Sequence, residues 1–141
     1  MKRLILFLGV ILTWSCSTDD AVVDEFSFEI LPIRTVIDMP ESVNYNDVYT
    51  IRYTYSLPST CHTFSDLYYL TEGQFRTVAV ISRVLEDTDT VICEPLEEEL
   101  VEGTFQFTVL NNAGTYIFRF WQGVDEAGVD QYLVYEVPIE Q

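Results

Sequence analysis

The chain is poor in positive charge. Its 141 residues include one lysine, Lys2, one histidine, His62, and six arginines, against 23 carboxylates, for a formal net charge of −16 at pH 7. A surface this acidic repels a phosphate backbone, which excludes nucleic acid as a partner. One histidine and three cysteines are too few for a closed tetrahedral zinc site unless carboxylates contribute. No Gly-x-Ser-x-Gly turn presents a nucleophile, so His62, with Ser59, Ser65 and Asp66 close in sequence, reads as a loop residue beside Cys61. The Asp-x-Asp-x-Asp-Gly spacing of a calcium loop is missing as well. Asp87, Asp89, Asp125, Glu126 and Asp130 therefore read as turn residues, which aspartate favours through its own backbone hydrogen bonds. No catalytic residue, metal ligand or cofactor is expected.

Long apolar runs are also lacking. The longest near the start, residues 4–12, falls short of the roughly 20 residues that span a bilayer. It follows Lys2 and Arg3 and ends near Ser15, the layout of a secretory signal. Leu12 to Cys16, with Ser15 directly before the cysteine, resembles the lipobox of bacterial lipoproteins. The Ser17 to Asp20 tract resembles the export signal of Bacteroidota surface lipoproteins. The resemblance implies a signal peptide at 1–15, lipidation of Cys16, a lipidated acidic tether at 16–25 and a folded domain at 26–141. It also implies anchoring to the outer membrane, facing the periplasm or the cell surface. Removing the signal takes away two basic residues and leaves no lysine. In that oxidising compartment Cys61 and Cys93 form an even pair, and a disulfide between them is expected over two free thiols.

What the chain has in quantity is alternation. Tyr49, Ile51, Tyr53, Tyr55 and Leu57 alternate with Thr50, Arg52, Thr54 and Ser56, a period of two that predicts a strand with one apolar and one polar face. Phe26, Phe28 and Ile30 alternate with Ser27 and Glu29 until Pro32, which permits only an edge strand or a bulge. Residues 39–42 and 44–47 read as loops. Strands are predicted over 64–70, 75–85, 90–93, 105–109, 116–121 and 131–139. Between them, Leu96 and Leu100 lie four apart among Glu97, Glu98 and Glu99, which leaves one helical turn open; the glutamates read as a solvated face. Seven or eight short strands without a long amphipathic helix predict an all-β antiparallel sandwich.

One stretch sharpens this. Residues 109–118, Val-Leu-Asn-Asn-Ala-Gly-Thr-Tyr-Ile-Phe, resemble the corner between strands E and F of immunoglobulin-like domains, where a tyrosine bonds back to the chain. Phe118 stands where antibody domains have their second core cysteine. The resemblance therefore implies a single immunoglobulin-like β-sandwich held by packing, and by Cys61 and Cys93 if they pair. That fold names no function.

With Tyr116, Phe118 and Phe120 facing inward, Ile117, Arg119 and Trp121 face outward. The last strand likewise turns Leu133, Tyr135, Val137 and Ile139 inward and Tyr132 and Val134 out. This outward set is more apolar than a solvated sheet needs, and aromatics with one arginine are typical interface anchors. The expectation is a non-enzymatic binding or assembly module of the envelope, its partners the membrane through the lipid and a protein or glycan through this surface. The alternative is a small hydrolase using paired carboxylates.

Overall fold

A computed structural model describes residues 25–97 and 99–140. The signal segment, Cys16, Glu98 and nearly all of the tether lie outside these residues. The described chain is all-β, with nine strands in two sheets. They are β1 (Phe26–Leu31), β2 (Ile33–Ile37), β3 (Val43–Asn44), β4 (Val48–Ser56), β5 (His62–Glu72), β6 (Phe75–Leu85), β7 (Leu100–Thr108), β8 (Thr115–Val124) and β9 (Asp130–Glu140).

The smaller sheet runs β2-β4-β7, and the larger runs β1-β6-β8-β9-β3 with β5 also on β6. In the larger sheet β6 is the hub. Its whole length pairs antiparallel with β5 along one edge. Its other edge is divided, with residues 75–78 pairing in parallel with β8 and residues 80–85 antiparallel with β1. The short β3 closes the far side by pairing in parallel with β9. Pro32 is where the chain changes sheet. It has no N–H to continue the β1 ladder, and the flanking Leu31 and Ile33 are both buried in the shared core.

That core fills the space between the sheets. Ile51, Tyr53 and Tyr55 of β4 and Phe107 of β7 meet Val78 and Val80 of β6, Phe118 and Phe120 of β8 and Val137 of β9. Phe107 sets its ring edge-on to Tyr116 and Phe118, with centroids 4.8 and 4.9 Å apart, the geometry ring quadrupoles favour. Tyr53 lies over its cross-strand partner Gly103, where an added Cβ would come within 2.4 Å of the phenol ring. Glycine at that position leaves the space that the Tyr53 ring occupies.

The tyrosine corner is present in full. The Tyr116 hydroxyl accepts the backbone N–H groups of Leu110 and Asn111 at 3.1 and 2.9 Å. Its ring is buried and carries the Arg76 guanidinium 4.8 Å above it. Cys61 and Cys93 are joined as a disulfide across a sequence separation of 32, with Cα atoms 5.2 Å apart. A closed loop of that length is worth about 3.5–4 kcal/mol in the chain-entropy account.

The larger sheet is mixed rather than antiparallel as expected, since β6 with β8 and β3 with β9 pair in parallel, and three local expectations are corrected as well. Residues 90–93 form no strand, because Thr88 Oγ1 takes the N–H groups of Thr90 and Val91, Glu94 N–H goes to Thr60 Oγ1, and the disulfide draws Cys93 toward Cys61. Leu100 starts strand β7 instead of closing a helical turn with Leu96, and both leucines are exposed. Val43–Asn44, expected as part of a loop, forms the two-residue strand β3.

Candidate ligand-binding face

On β8, Tyr116, Phe118 and Phe120 are fully buried while Ile117, Arg119 and Trp121 alternate with them on the outer face, as strand geometry requires. On β9, Val137 and Ile139 are buried and Leu133 and Tyr135 pack against the core, which turns Tyr132 and Val134 outward. The pairing of β8 with β9 sets Trp121 opposite Tyr132. Immediately after Trp121 the register slips at Gln122, a bulge of the kind that re-aims neighbouring side chains.

These strands frame an open groove of about 390 Å³. Thr77 and Ala79 of β6 are its buried floor, Tyr68, Leu70 and Glu72 of β5 line one side, and Arg119, Trp121, Asp130 and Tyr132 line the other. Ile30 of β1 closes one end. The hollow lies over β6 where its partner along that edge changes from β8 to β1. Beyond Ile30 a second hollow of about 530 Å³ continues over Phe28, Ile81, Ser65 and Asp66. The Arg83 guanidinium lies 4.1 Å over Phe26 at its margin.

The polar groups of the first groove are unevenly satisfied. Trp121 Nε1–H donates to Asp130 Oδ1 at 2.8 Å, which fixes the indole. Arg119 Nη2 donates to Glu72 Oε2 at 3.2 Å, and its guanidinium stands over the rings of Phe75 and Tyr132 at 4.6 and 5.8 Å. Burial, and then the charge of Asp130, push the Tyr132 phenol above its ordinary value, so it is protonated at neutral pH. Thr77 Oγ1 and Arg119 Nε, both buried, have no hydrogen-bond partner among the described residues.

Of the five outward residues expected from the sequence, Arg119, Trp121 and Tyr132 line the groove. Ile117 and Val134 share the face and stand outside it. Sequence reasoning missed Thr77, Tyr68, Leu70 and Ile30. The doublet Tyr68-Tyr69 carried a signal, because one of two adjacent strand residues must face out. A bulge between Phe64 and Asp66 hides which one.

The other chemistry flagged in sequence is also placed. His62 Nδ1 meets Ser59 Oγ at 2.7 Å and His62 Nε2 meets Glu29 Oε2 at 2.8 Å. Ser65 and Asp66 lie instead on the outer face. This relay contains the residue types of a serine hydrolase, yet Ser59 Oγ also accepts the Cys61 N–H at 3.3 Å. The relay ties the turn before β5 to β1. In the β8–β9 turn Asp125 Oδ1 takes the N–H groups of Ala127 and Val129, both at 2.9 Å, and Asp130 is engaged by Trp121. Among the described residues no three His, Cys, Asp or Glu side chains converge as a metal site would require. No family model, curated protein or solved structure matches the chain.

Proposed function

We propose that this chain is a lipid-anchored, non-enzymatic binding module of the bacterial envelope, an immunoglobulin-like sandwich whose recognition surface is the outer face of its larger sheet. One observation carries the reading. A sheet with one face on the core and the other open ordinarily turns a polar face to water; here that face presents Phe28, Ile30, Tyr68, Leu70, Trp121 and Tyr132 around two adjoining hollows. Contiguous apolar surface of this kind marks interaction sites, and aromatic and arginine side chains are the usual energetic anchors.

The immunoglobulin-like assignment rests on the tyrosine corner at Tyr116 and on the final antiparallel pair β8–β9 flanked in parallel by β3. The parallel pairing of β6 with β8 makes this a variant of the usual strand arrangement. The anchor rests on the lipobox-like sequence before Cys16.

Immobilised full-length chain and its Trp121→Ala variant, incubated with solubilised envelope, test the reading. The wild type retains a component that the variant loses, with the thermal midpoint nearly unchanged. A collapsed midpoint makes Trp121 a core residue and sinks the surface. Labelled palmitate incorporated by the wild type and not by Cys16→Ser tests the anchor separately. Turnover of an envelope glycan that is lost when one of two facing carboxylates is replaced by its amide would favour the alternative, a hydrolase using paired carboxylates.

A further inference from the structure

We propose that the groove over Thr77 and Ala79 binds a neutral sugar ring, its C–H face against Trp121 and its hydroxyls on Thr77, Arg119 and the two carboxylates at the groove's sides. The inference rests on the reading of this face as a recognition surface and names the ligand class of that same site.

The polar atoms available decide the class. Strand N–H and C=O groups in the middle of a sheet are spent on its ladders, so the groove offers side chains alone. Glu72 and Asp130 only accept, Arg119 only donates, and Thr77 Oγ1 does both. A sugar hydroxyl, donor and acceptor at once, matches this mixture. An extended peptide derives its affinity from main-chain pairing at a free strand edge, which a sheet face lacks. The two carboxylates outnumber the one guanidinium, itself paired with Glu72, so an anionic ligand is disfavoured.

Thr77 supplies the independent observation. It is 7% exposed, lines the groove, and has a hydroxyl without a partner. Buried hydroxyls are overwhelmingly hydrogen-bonded, and valine would fill the same space on a central strand without that cost. Arg119 Nε is unpartnered beside it. The two residues are register partners on adjacent parallel strands, and both line the same groove. The tie of Arg119 to Glu72 is a single 3.2 Å contact to a carboxylate largely in solvent. Such a pair yields easily, which frees an Arg119 donor for the ligand. The volume of about 390 Å³ lies within the roughly 300–1,000 Å³ of small-molecule sites.

The test applies labelled full-length chain to arrayed neutral hexose and N-acetylhexosamine oligosaccharides beside uronate- and sulfate-bearing ones. Retention on neutral glycans is expected, weakened by Trp121→Ala at least about thirtyfold, as for an interface anchor. Thr77→Val weakens it about tenfold, one hydrogen bond's worth, while raising the thermal midpoint of the free protein. If Trp121→Ala unfolds, Thr77→Val and Trp121→Phe decide. No retention on neutral glycans, retention indifferent to Thr77→Val, or preference for the anionic glycans overturns the sugar assignment. An envelope protein captured in a Trp121-dependent way, without glycan binding, overturns the assignment and leaves the recognition face standing. If neither kind of ligand responds to Trp121→Ala, both fall.

Discussion

The two sheets of this sandwich share one core and have opposite outer faces. On the smaller sheet the outward positions of β4 and β7 are polar apart from exposed Val48 and Leu100 at the strand ends, and several are paired with one another. Thr35 and Thr54 bond hydroxyl to hydroxyl at 2.6 Å across β2 and β4, and Arg52 bridges Asp38 and Glu102 at the surface. On the larger sheet the corresponding positions hold phenylalanine, isoleucine, leucine, tyrosine and tryptophan, and three buried polar atoms on its strands, Thr77 Oγ1, Arg83 Nε and Arg119 Nε, have no partner among the described residues. A protein selected only to fold would treat both faces alike, because both meet the same solvent. The smaller sheet shows that this chain can build an ordinary wet face. The apolar one is therefore a departure with a local cause, and the proposed recognition role would supply it.

The sharpest way to break that comparison is to remove the same ring from the two sides of the larger sheet. Phe118 is completely buried between the sheets, whereas Phe28 is 62% exposed on the outer face. Phe118→Ala is expected to cost about 3–5 kcal/mol in urea denaturation, a transfer loss plus a cavity that the surrounding rings cannot close. Phe28→Ala is expected to stay within about 0.5 kcal/mol, as for surface substitutions generally. Equal costs would mean that the outer face is a second core covered by something else, and the contrast with the smaller sheet would lose its meaning.

How far the sequence carries one to this contrast depends on the kind of information needed. Period-two alternation fixes which residues of β4 and β8 share a face, and Tyr53, Tyr55, Phe118 and Phe120 are buried as the pattern requires. Alternation is silent about which strands are neighbours. Nothing in residues 75–85 announces that β6 pairs with β5 on one edge and divides the other between β8 and β1, yet the groove lies over that division. Alternation is also silent about which face is inward. Phe26, Phe28 and Ile30 form the apolar half of β1 and lie exposed, because the chain switches sheets at Pro32 and buries Leu31 instead. Arg119, Trp121 and Tyr132 were legible because they sit on strands whose inner faces are unmistakable. Thr77 was not, since a threonine in a Val- and Ile-rich run looks like any other strand residue and only the structure shows its hydroxyl unpartnered.

Alkaline titration sharpens the comparison next. Burial, and then neighbouring Tyr55, push the Tyr53 phenol up from its ordinary 10 to about 12. Burial raises Tyr55 and Tyr69 as well. In each case the folded state holds the phenolic proton more tightly than the unfolded chain. Stability is therefore complete below pH 10 and declines as pH rises toward 12, by about 3 kcal/mol for Tyr53 alone. The check is the urea midpoint measured across that window for wild type and Tyr53→Phe, with the variant expected to lose less. Identical slopes would show that Tyr53 ionises as freely folded as unfolded.

The smallest effect is expected on the polar face. Arg52 pairs with two carboxylates, Asp38 and Glu102, at the surface, its side chain 41% exposed. Exposed pairs gain little Coulomb energy in water, lose side-chain entropy and are screened by salt. Arg52→Ala is expected to leave both the urea midpoint and any Trp121-dependent binding where they were, at low and high salt alike. A large loss of binding would place recognition on the smaller sheet after all and reverse the assignment of the two faces. Unchanged binding with Arg52→Ala, set beside abolished binding with Trp121→Ala, locates the ligand on one side of a structure whose two sides are otherwise built to the same plan.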